Sequence, residues 1–126
     1  APITHIKGLY VSGSHTEGCC AAVASLKPVG IDVEPIAPLR EKVALRMYSD
    51  KERQWMYAQP DQDEAFTLLW TLKEAYGKML GIGLSAVKDV EFCEENGCIC
   101  CSDESVILSS YRHKNYLISM IESDSD

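Results

Sequence analysis

Short runs of β-branched and small apolar residues at both ends of the chain enclose a middle third whose apolar positions recur at helical spacing. Gly8 to Gly13 predicts a short strand, followed by a turn around Ser14-His15-Thr16-Glu17-Gly18. Cys19 to Leu26 predicts a second strand, Pro28 interrupts it, and Val29 to Val33 predicts a third. Strand, turn, strand, turn, strand suggests an antiparallel sheet rather than βαβ units. Pro35 and Pro38 end that run, and a helix follows with Leu39, Val43, Leu45 and Met47 as its apolar positions. Ser49 with Glu52 three residues on is a capping box opening a second short helix through Trp55 and Tyr57. Asp61-Gln62-Asp63-Glu64 is an acidic start for the longest helix, favoured by the helix dipole. No proline interrupts Ala65 to Leu80, where Phe66, Leu69, Leu72, Tyr76 and Leu80 mark an apolar face, and Gly81 stops the helix. Strands return over Val87 to Cys93, Ile99 to Cys101, Ser105 to Tyr111 and Tyr116 to Ile121, with Asn96-Gly97 as a hairpin turn. The expectation is one α+β domain over residues 1–126, an antiparallel sheet packed against a long helix, without repeat or linker.

Composition narrows the function classes. A chain of 126 residues has room for one domain and can build a core without staples. No apolar run approaches the ~20 residues of a membrane span. The first residues lack the basic and apolar regions of a signal peptide, so the cytoplasm is the expected compartment. A net charge of −7 argues against general nucleic-acid binding. Acidic charge gathers in Glu122-Ser123-Asp124-Ser125-Asp126, which reads as a frayed, solvated end. Arg40, Lys42, Arg46, Lys51 and Arg53 form a local basic surplus that could greet an acidic partner or simply be a solvated helix face. The six cysteines are expected to be reduced thiols. Cys19 and Cys20 read as strand-core residues. Cys93, Cys98, Cys100 and Cys101 could be a zinc site or ordinary small hydrophobes; their spacing is not a paired C-x₂-C.

Two segments carry candidate chemistry. In Val29-Gly30-Ile31-Asp32-Val33-Glu34, alternation puts Asp32 and Glu34 on one strand face, with Ile31 and Val33 on the other. Two such carboxylates repel unless a cation sits between them; an edge strand facing water would also accept them. Oxygen ligands alone would suit magnesium, manganese or calcium. In the long helix, Trp70, Glu74 and Lys78 are spaced i, i+4, i+8 and stack along one face, with Lys73 beside them. Lysines next to metal-binding carboxylates would suit phosphate, although a Glu–Lys pair also fits an ordinary surface helix. Gly77 in mid-helix suggests close packing. The glycines of Gly81-Ile82-Gly83-Leu84 follow a helix instead of opening one, so they are not a phosphate loop. Ser14-His15 does not match a nucleophile elbow, and chain neighbours rarely face each other.

Taken together, Gly30-Ile31-Asp32-Val33-Glu34, then Trp70-Thr71-Leu72-Lys73-Glu74-Ala75-Tyr76-Gly77-Lys78 and Gly81-Ile82-Gly83-Leu84, with Ser14-His15-Thr16 upstream, resemble the 4′-phosphopantetheinyl transferase superfamily. Their order is similar to the surfactin-synthetase-activating type, and Arg46-Met47-Tyr48-Ser49 resembles an Arg-x-Phe-Ser stretch between that family's motifs. The resemblance implies transfer of 4′-phosphopantetheine from coenzyme A to a serine of an acyl or peptidyl carrier protein, with 3′,5′-ADP leaving. It implies that Asp32, Glu34 and Glu74 hold Mg2+ and that Glu74 accepts the serine proton. Lys78 would contact phosphate, with Lys73 a second candidate. His15 would touch the nucleotide's 3′-phosphate with Ser14 beside it, and Trp70 would shape the site. The chain resembles only the second half of such enzymes. A homo-oligomer or a missing N-terminal half is therefore implied, and a non-catalytic module binding coenzyme A or a carrier protein is the alternative.

Overall fold

The computed structural model describes residues 4–6, 8–83 and 89–124. The chain runs β1 (Thr4–Ile6), β2 (Leu9–Thr16), β3 (Cys19–Ser25), β4 (Val29–Pro35), α1 (Glu41–Met47), α2 (Asp50–Tyr57) and α3 (Gln62–Leu80). It continues as β5 (Phe92–Glu95), β6 (Cys98–Cys101), β7 (Val106–His113) and β8 (Tyr116–Ser123). The strands form three antiparallel groups: β1-β2-β3, β4-β8-β7 and the two-stranded ribbon β5-β6. The fold is α+β, with antiparallel sheets and one long helix, as the pattern predicts. Among the described residues, no helix is long and apolar enough to cross a membrane.

Helix boundaries follow local chemistry. Ser49 accepts a hydrogen bond from the Glu52 amide and Glu52 answers the Ser49 amide, completing the capping box of α2. Asp61 caps α3 by accepting from the Glu64 amide at 3.0 Å, and Gly81 ends it in the left-handed region. The ribbon turns on Asn96 and Gly97, both at positive φ (53° and 82°), the geometry that a two-residue turn demands.

Strand pairing departs from the sequence expectation. β2 does not stop at Gly13; it runs to Thr16, because Ser14, His15 and Thr16 pair with Ala21, Cys20 and Cys19. β4 does not extend the β2–β3 hairpin either. It pairs instead with β8 at the far end of the chain, Asp32 opposite Ser119 and Glu34 opposite Leu117. β8 continues to Ser123, so part of the expected loose tail is sheet, and the Glu122 carboxylate accepts from the Ser25 hydroxyl. β5 takes in Glu94 and Glu95, leaving only Asn96-Gly97 as turn. The start of the strand expected over Val87 to Cys93 lies outside the described residues, as do Leu84 and the last two residues of the chain.

In the β4-β8-β7 sheet, β4 and β8 are covered on both faces, whereas β7 is largely exposed. On one face α3 buries Ala65, Phe66, Leu69, Leu72, Ala75 and Met79 with Ile121 of β8 and side chains of α1, α2 and β5. On the other, Ile31, Val33 and Ile118 meet Cys19, Ala21 and Val23 of the folded-over β3. Cys19 thus packs against a core, whereas Cys20 is exposed, correcting its expected core role. A hydroxyl chain joins α3 to the sheet. Thr71 donates to the Leu68 carbonyl at 2.8 Å, so Ser119 must donate to Thr71 (2.7 Å) and Ser110 to Ser119 (2.8 Å).

β4 and α3 approach closely at Gly30. A Cβ there would collide with the Ala75 carbonyl oxygen and lie 2.6 Å from the Met79 amide nitrogen. Both obstacles are helix backbone and cannot swing aside. Gly30→Ala should therefore cost about 3 kcal/mol or more, read as a lower urea midpoint with an unchanged slope.

Candidate active site

The closest packing of strand and helix is also where charge collects. Asp32 points from β4 toward α3 and is only 3% exposed. Its Oδ1 accepts from the Ser14 hydroxyl at 3.1 Å and from Lys78 Nζ at 3.2 Å. Lys78 reaches back along α3 and also donates to the Ile31 carbonyl at 3.0 Å and the Gly13 carbonyl at 3.4 Å. One ammonium thereby ties α3 to β4 and β2. The other oxygen of Asp32, Oδ2, is buried with no hydrogen-bond partner.

Glu34 and Glu74 share this field. Burial raises the Asp32 carboxyl above its ordinary range, opposed chiefly by the Lys78 charge. Glu34 is pushed up to about 7, by burial first, then by Asp32 and Glu74. Glu74 is raised by burial and by Asp32, with Lys78 acting the other way. The three carboxylates expected from the sequence therefore act on one another around a single lysine. Among the described residues, no three His, Cys, Asp or Glu side chains already form a metal cage. Their chemistry nevertheless fits a hard divalent cation: oxygen donors only, one of them orphaned, in a group whose mutual repulsion a cation would relieve.

Trp70 lies one helical turn before Glu74 on α3. With Glu34, Pro35, Arg40, Phe66 and Thr67 it lines a cleft of about 210 Å³ that opens beside Glu34. The carboxylate group thus has an apolar-walled recess next to it, with an exposed arginine at the rim.

Ser14 and His15 separate as neighbours on a strand do. His15 is exposed, while Ser14 is buried. Ser14 accepts from the Val33 amide at 3.1 Å and donates to Asp32, and Ser12 likewise accepts from the Ile31 amide at 3.1 Å. These two hydroxyls stand in for the strand carbonyls that would otherwise meet the free edge of β4. The structure thus corrects the expectation that Ser14 sits beside His15 at a phosphate: its hydrogen bonds are spent inside the protein, positioning Asp32.

Lys73 is corrected more sharply. It is 0% exposed, 3.1 Å from Glu52 Oε1, and donates to the Val90 carbonyl at 2.7 Å between the rings of Tyr48 and Phe92. Glu52, equally buried, also accepts from the Phe92 amide at 2.8 Å. This pair fastens α2, α3 and the ribbon together and presents no charge to a ligand. A sequence signal existed: residue 73 falls four after Leu69 and three before Tyr76, on the apolar face of the helix. The role of Glu52 had no such signal beyond its place in the capping box.

Comparison with known proteins identifies the family. The model of the 4′-phosphopantetheinyl transferase superfamily matches residues 28–119, a span that includes Asp32, Glu34, Glu74 and Lys78. The chain is 37% identical over 78 residues to the 4′-phosphopantetheinyl transferase gsp of Aneurinibacillus migulanus, covering 60% of this chain and 33% of that protein. It therefore spans about a third of the length of that curated relative. The solved holo-[acyl-carrier-protein] synthase of Thermotoga maritima superposes with a TM-score of 0.67 at 28% identity, over 79% of this chain and 64% of that one. The holo-(acyl-carrier-protein) synthase of Bacillus anthracis, solved in complex with CoA (3′,5′-ADP), gives 0.67 at 22% identity over 79% and 96%, a likeness of fold.

Two measurements test the electrostatics. Lys73→Met strands a buried Glu52 and should cost about 3–5 kcal/mol, whereas adding Glu52→Gln should return part of the loss in a double-mutant cycle. In chelator, Glu34 should titrate near 7 in the folded chain against 4.5 when unfolded. Between those values the unfolded chain releases its proton first, so stability falls as pH rises. Because Glu34 is only half-buried, the effect should be about 1 kcal/mol. Glu34→Gln should melt a few degrees higher than the parent above pH 7 and equally below pH 4.5 by calorimetry.

Proposed function

The chain belongs to the 4′-phosphopantetheinyl transferase superfamily, and on that premise we propose that it transfers 4′-phosphopantetheine from coenzyme A to a serine of an acyl or peptidyl carrier protein. The observation that carries the proposal is the group of Asp32, Glu34 and Glu74 around Lys78, with Asp32 Oδ2 buried and unpartnered. Asp32, Glu34 and Glu74 would hold Mg2+, which when bound neutralises charge on the pyrophosphate of coenzyme A.

The protein's own groups have assignable parts. Glu74, on the face of α3 that meets Asp32, is the group we assign to accept the serine hydroxyl's proton. As that proton leaves, the serine oxygen attacks the β-phosphorus, the bond to the bridging oxygen breaks, and 3′,5′-ADP departs. Ser14 and Lys78 hold Asp32 in place. For Lys78 to contact phosphate, its ammonium would exchange one of its three protein acceptors, Asp32, Ile31 or Gly13, for a phosphate oxygen. Trp70 walls the recess beside Glu34. His15, exposed on β2, is assigned to the 3′-phosphate. Positioning and fixed charge supply most of the acceleration in such a scheme.

The chain spans about a third of the gsp protein. We assign the rest of the nucleotide cleft to a second copy of this chain or to an N-terminal half. The exposed basic groups Arg40, Lys42, Arg46 and Lys51 suit an acidic carrier protein. The cytoplasm is the compartment we assign. One observation favours a non-catalytic module that binds coenzyme A or carrier protein: Lys78 already answers Asp32, and no ready metal cage exists among the described residues.

The deciding experiment mixes the chain with coenzyme A, Mg2+ and an apo carrier protein and weighs the carrier. A mass gain of one phosphopantetheine is expected, together with at least a ~100-fold loss of rate in Glu74→Gln at a melting temperature no lower than the parent's. Coenzyme A binding without any mass gain at stoichiometric enzyme would establish the non-catalytic module instead.

A further inference from the structure

Four of the six cysteines, Cys93, Cys98, Cys100 and Cys101, sit on the β5-β6 ribbon, whose two faces differ. Phe92 is buried, Ile99 and Cys101 pack against the core, and Glu94 accepts from the Trp55 indole at 2.7 Å. Alternation then sets Cys93, Cys98 and Cys100 on the opposite, outer face.

On that face Cys93 stands directly across from Cys100, and Glu95 across from Cys98. The two-residue turn makes Glu95 and Cys98 a hydrogen-bonded pair, so Cys93 and Cys100, two positions further on, are one also. Such pairs hold their Cα atoms about 5.5 Å apart, within the commonest range for a disulfide, and their Cβ atoms about 5.5 Å apart, roughly 1 Å wider than a relaxed disulfide takes. Cys98 and Cys100 share a strand and are separated by about 6.8 Å, at the edge of what a disulfide can span. The sulfurs of Cys93 and Cys100 also feel each other: burial raises the Cys93 thiol, Glu95 adds to it, and Cys100 comes next.

We propose that Cys93 and Cys100 form a reversible redox pair, a cross-strand dithiol that a low-molecular-weight disulfide such as glutathione disulfide converts to a disulfide. The Cys100 thiolate attacks one sulfur of glutathione disulfide, forming a mixed disulfide and releasing one glutathione thiolate. The Cys93 thiolate then attacks the Cys100 sulfur and releases the second. Two protein thiols are oxidised, one glutathione disulfide is reduced to two thiols, and the two protons pass to the departing thiolates. Closing the bond draws the two Cβ atoms together by about 1 Å, a strain on the ladder that keeps the disulfide easily reduced. The pair rests on nothing in the transfer reaction.

The test incubates the folded, reduced full chain with glutathione disulfide, blocks remaining thiols, and reads intact mass and a peptide map. The expected result is loss of two hydrogens per chain, a crosslink joining Cys93 to Cys100, and reversal by dithiothreitol. Cys98→Ser should keep that crosslink, whereas Cys93→Ser should stop with glutathione held on Cys100. A crosslink through Cys98 or Cys101 would overturn the proposal. So would a stable glutathione adduct on Cys100 in the parent chain, or no oxidation at all. Uptake of zinc that resists a chelator and protects the ribbon from oxidation would make it a metal site and also overturn the pair.

Discussion

A carboxylate in the seam between a strand and a helix must be answered from both sides, and Asp32 organises this protein around that need. Ser14 answers from β2 and Lys78 from α3, both at Oδ1. Lys78 in turn gathers the carbonyls of Gly13 and Ile31. Removing either charge of so buried a pair would strand the other at a cost of several kcal/mol. The contact therefore helps set where β2 lies beside β4, although β2 makes no main-chain ladder with that strand. Gly30 makes the same seam possible by leaving room for the backbone of α3.

A second buried pair, Lys73 with Glu52, does structural work one residue away from a candidate catalytic group. Adjacent residues on a helix point about 100° apart, so Lys73 enters the core while Glu74 faces the carboxylate group. The core pair holds the helix down, and the outer stripe of Trp70, Glu74 and Lys78 is thereby presented against β4. Stability and chemistry divide along the helix circumference, and the same short motif contains both.

The site leaves Asp32 Oδ2 buried with no amide, hydroxyl or ammonium donor, while burial raises all three carboxylates and the Asp32 charge raises Glu34 and Glu74 further. Folded proteins rarely keep such an arrangement without a ligand-related reason. An added positive charge would relieve it, which is why the electrostatics support the proposed cation and phosphate chemistry. The cleft walled by Trp70 and Phe66 gives the same place an apolar side.

Much of the fold was legible because its signals are local. The capping box at Ser49, the acidic start and Gly81 end of α3, and the Asn96-Gly97 turn are each decided within a few residues. The alternation that put Asp32 and Glu34 on one face, and the spacing that stacked Trp70, Glu74 and Lys78, are equally local. What no local signal could supply is pairing across the chain. β4 chose β8 over its sequence neighbour β3, Ser14 turned inward to Asp32, and Lys73 found Glu52 across the core. A backbone period fixes which residues share a face. Which partner that face meets depends on the packing of distant segments, and only the tertiary structure decides whether a polar side chain there serves a ligand or the core.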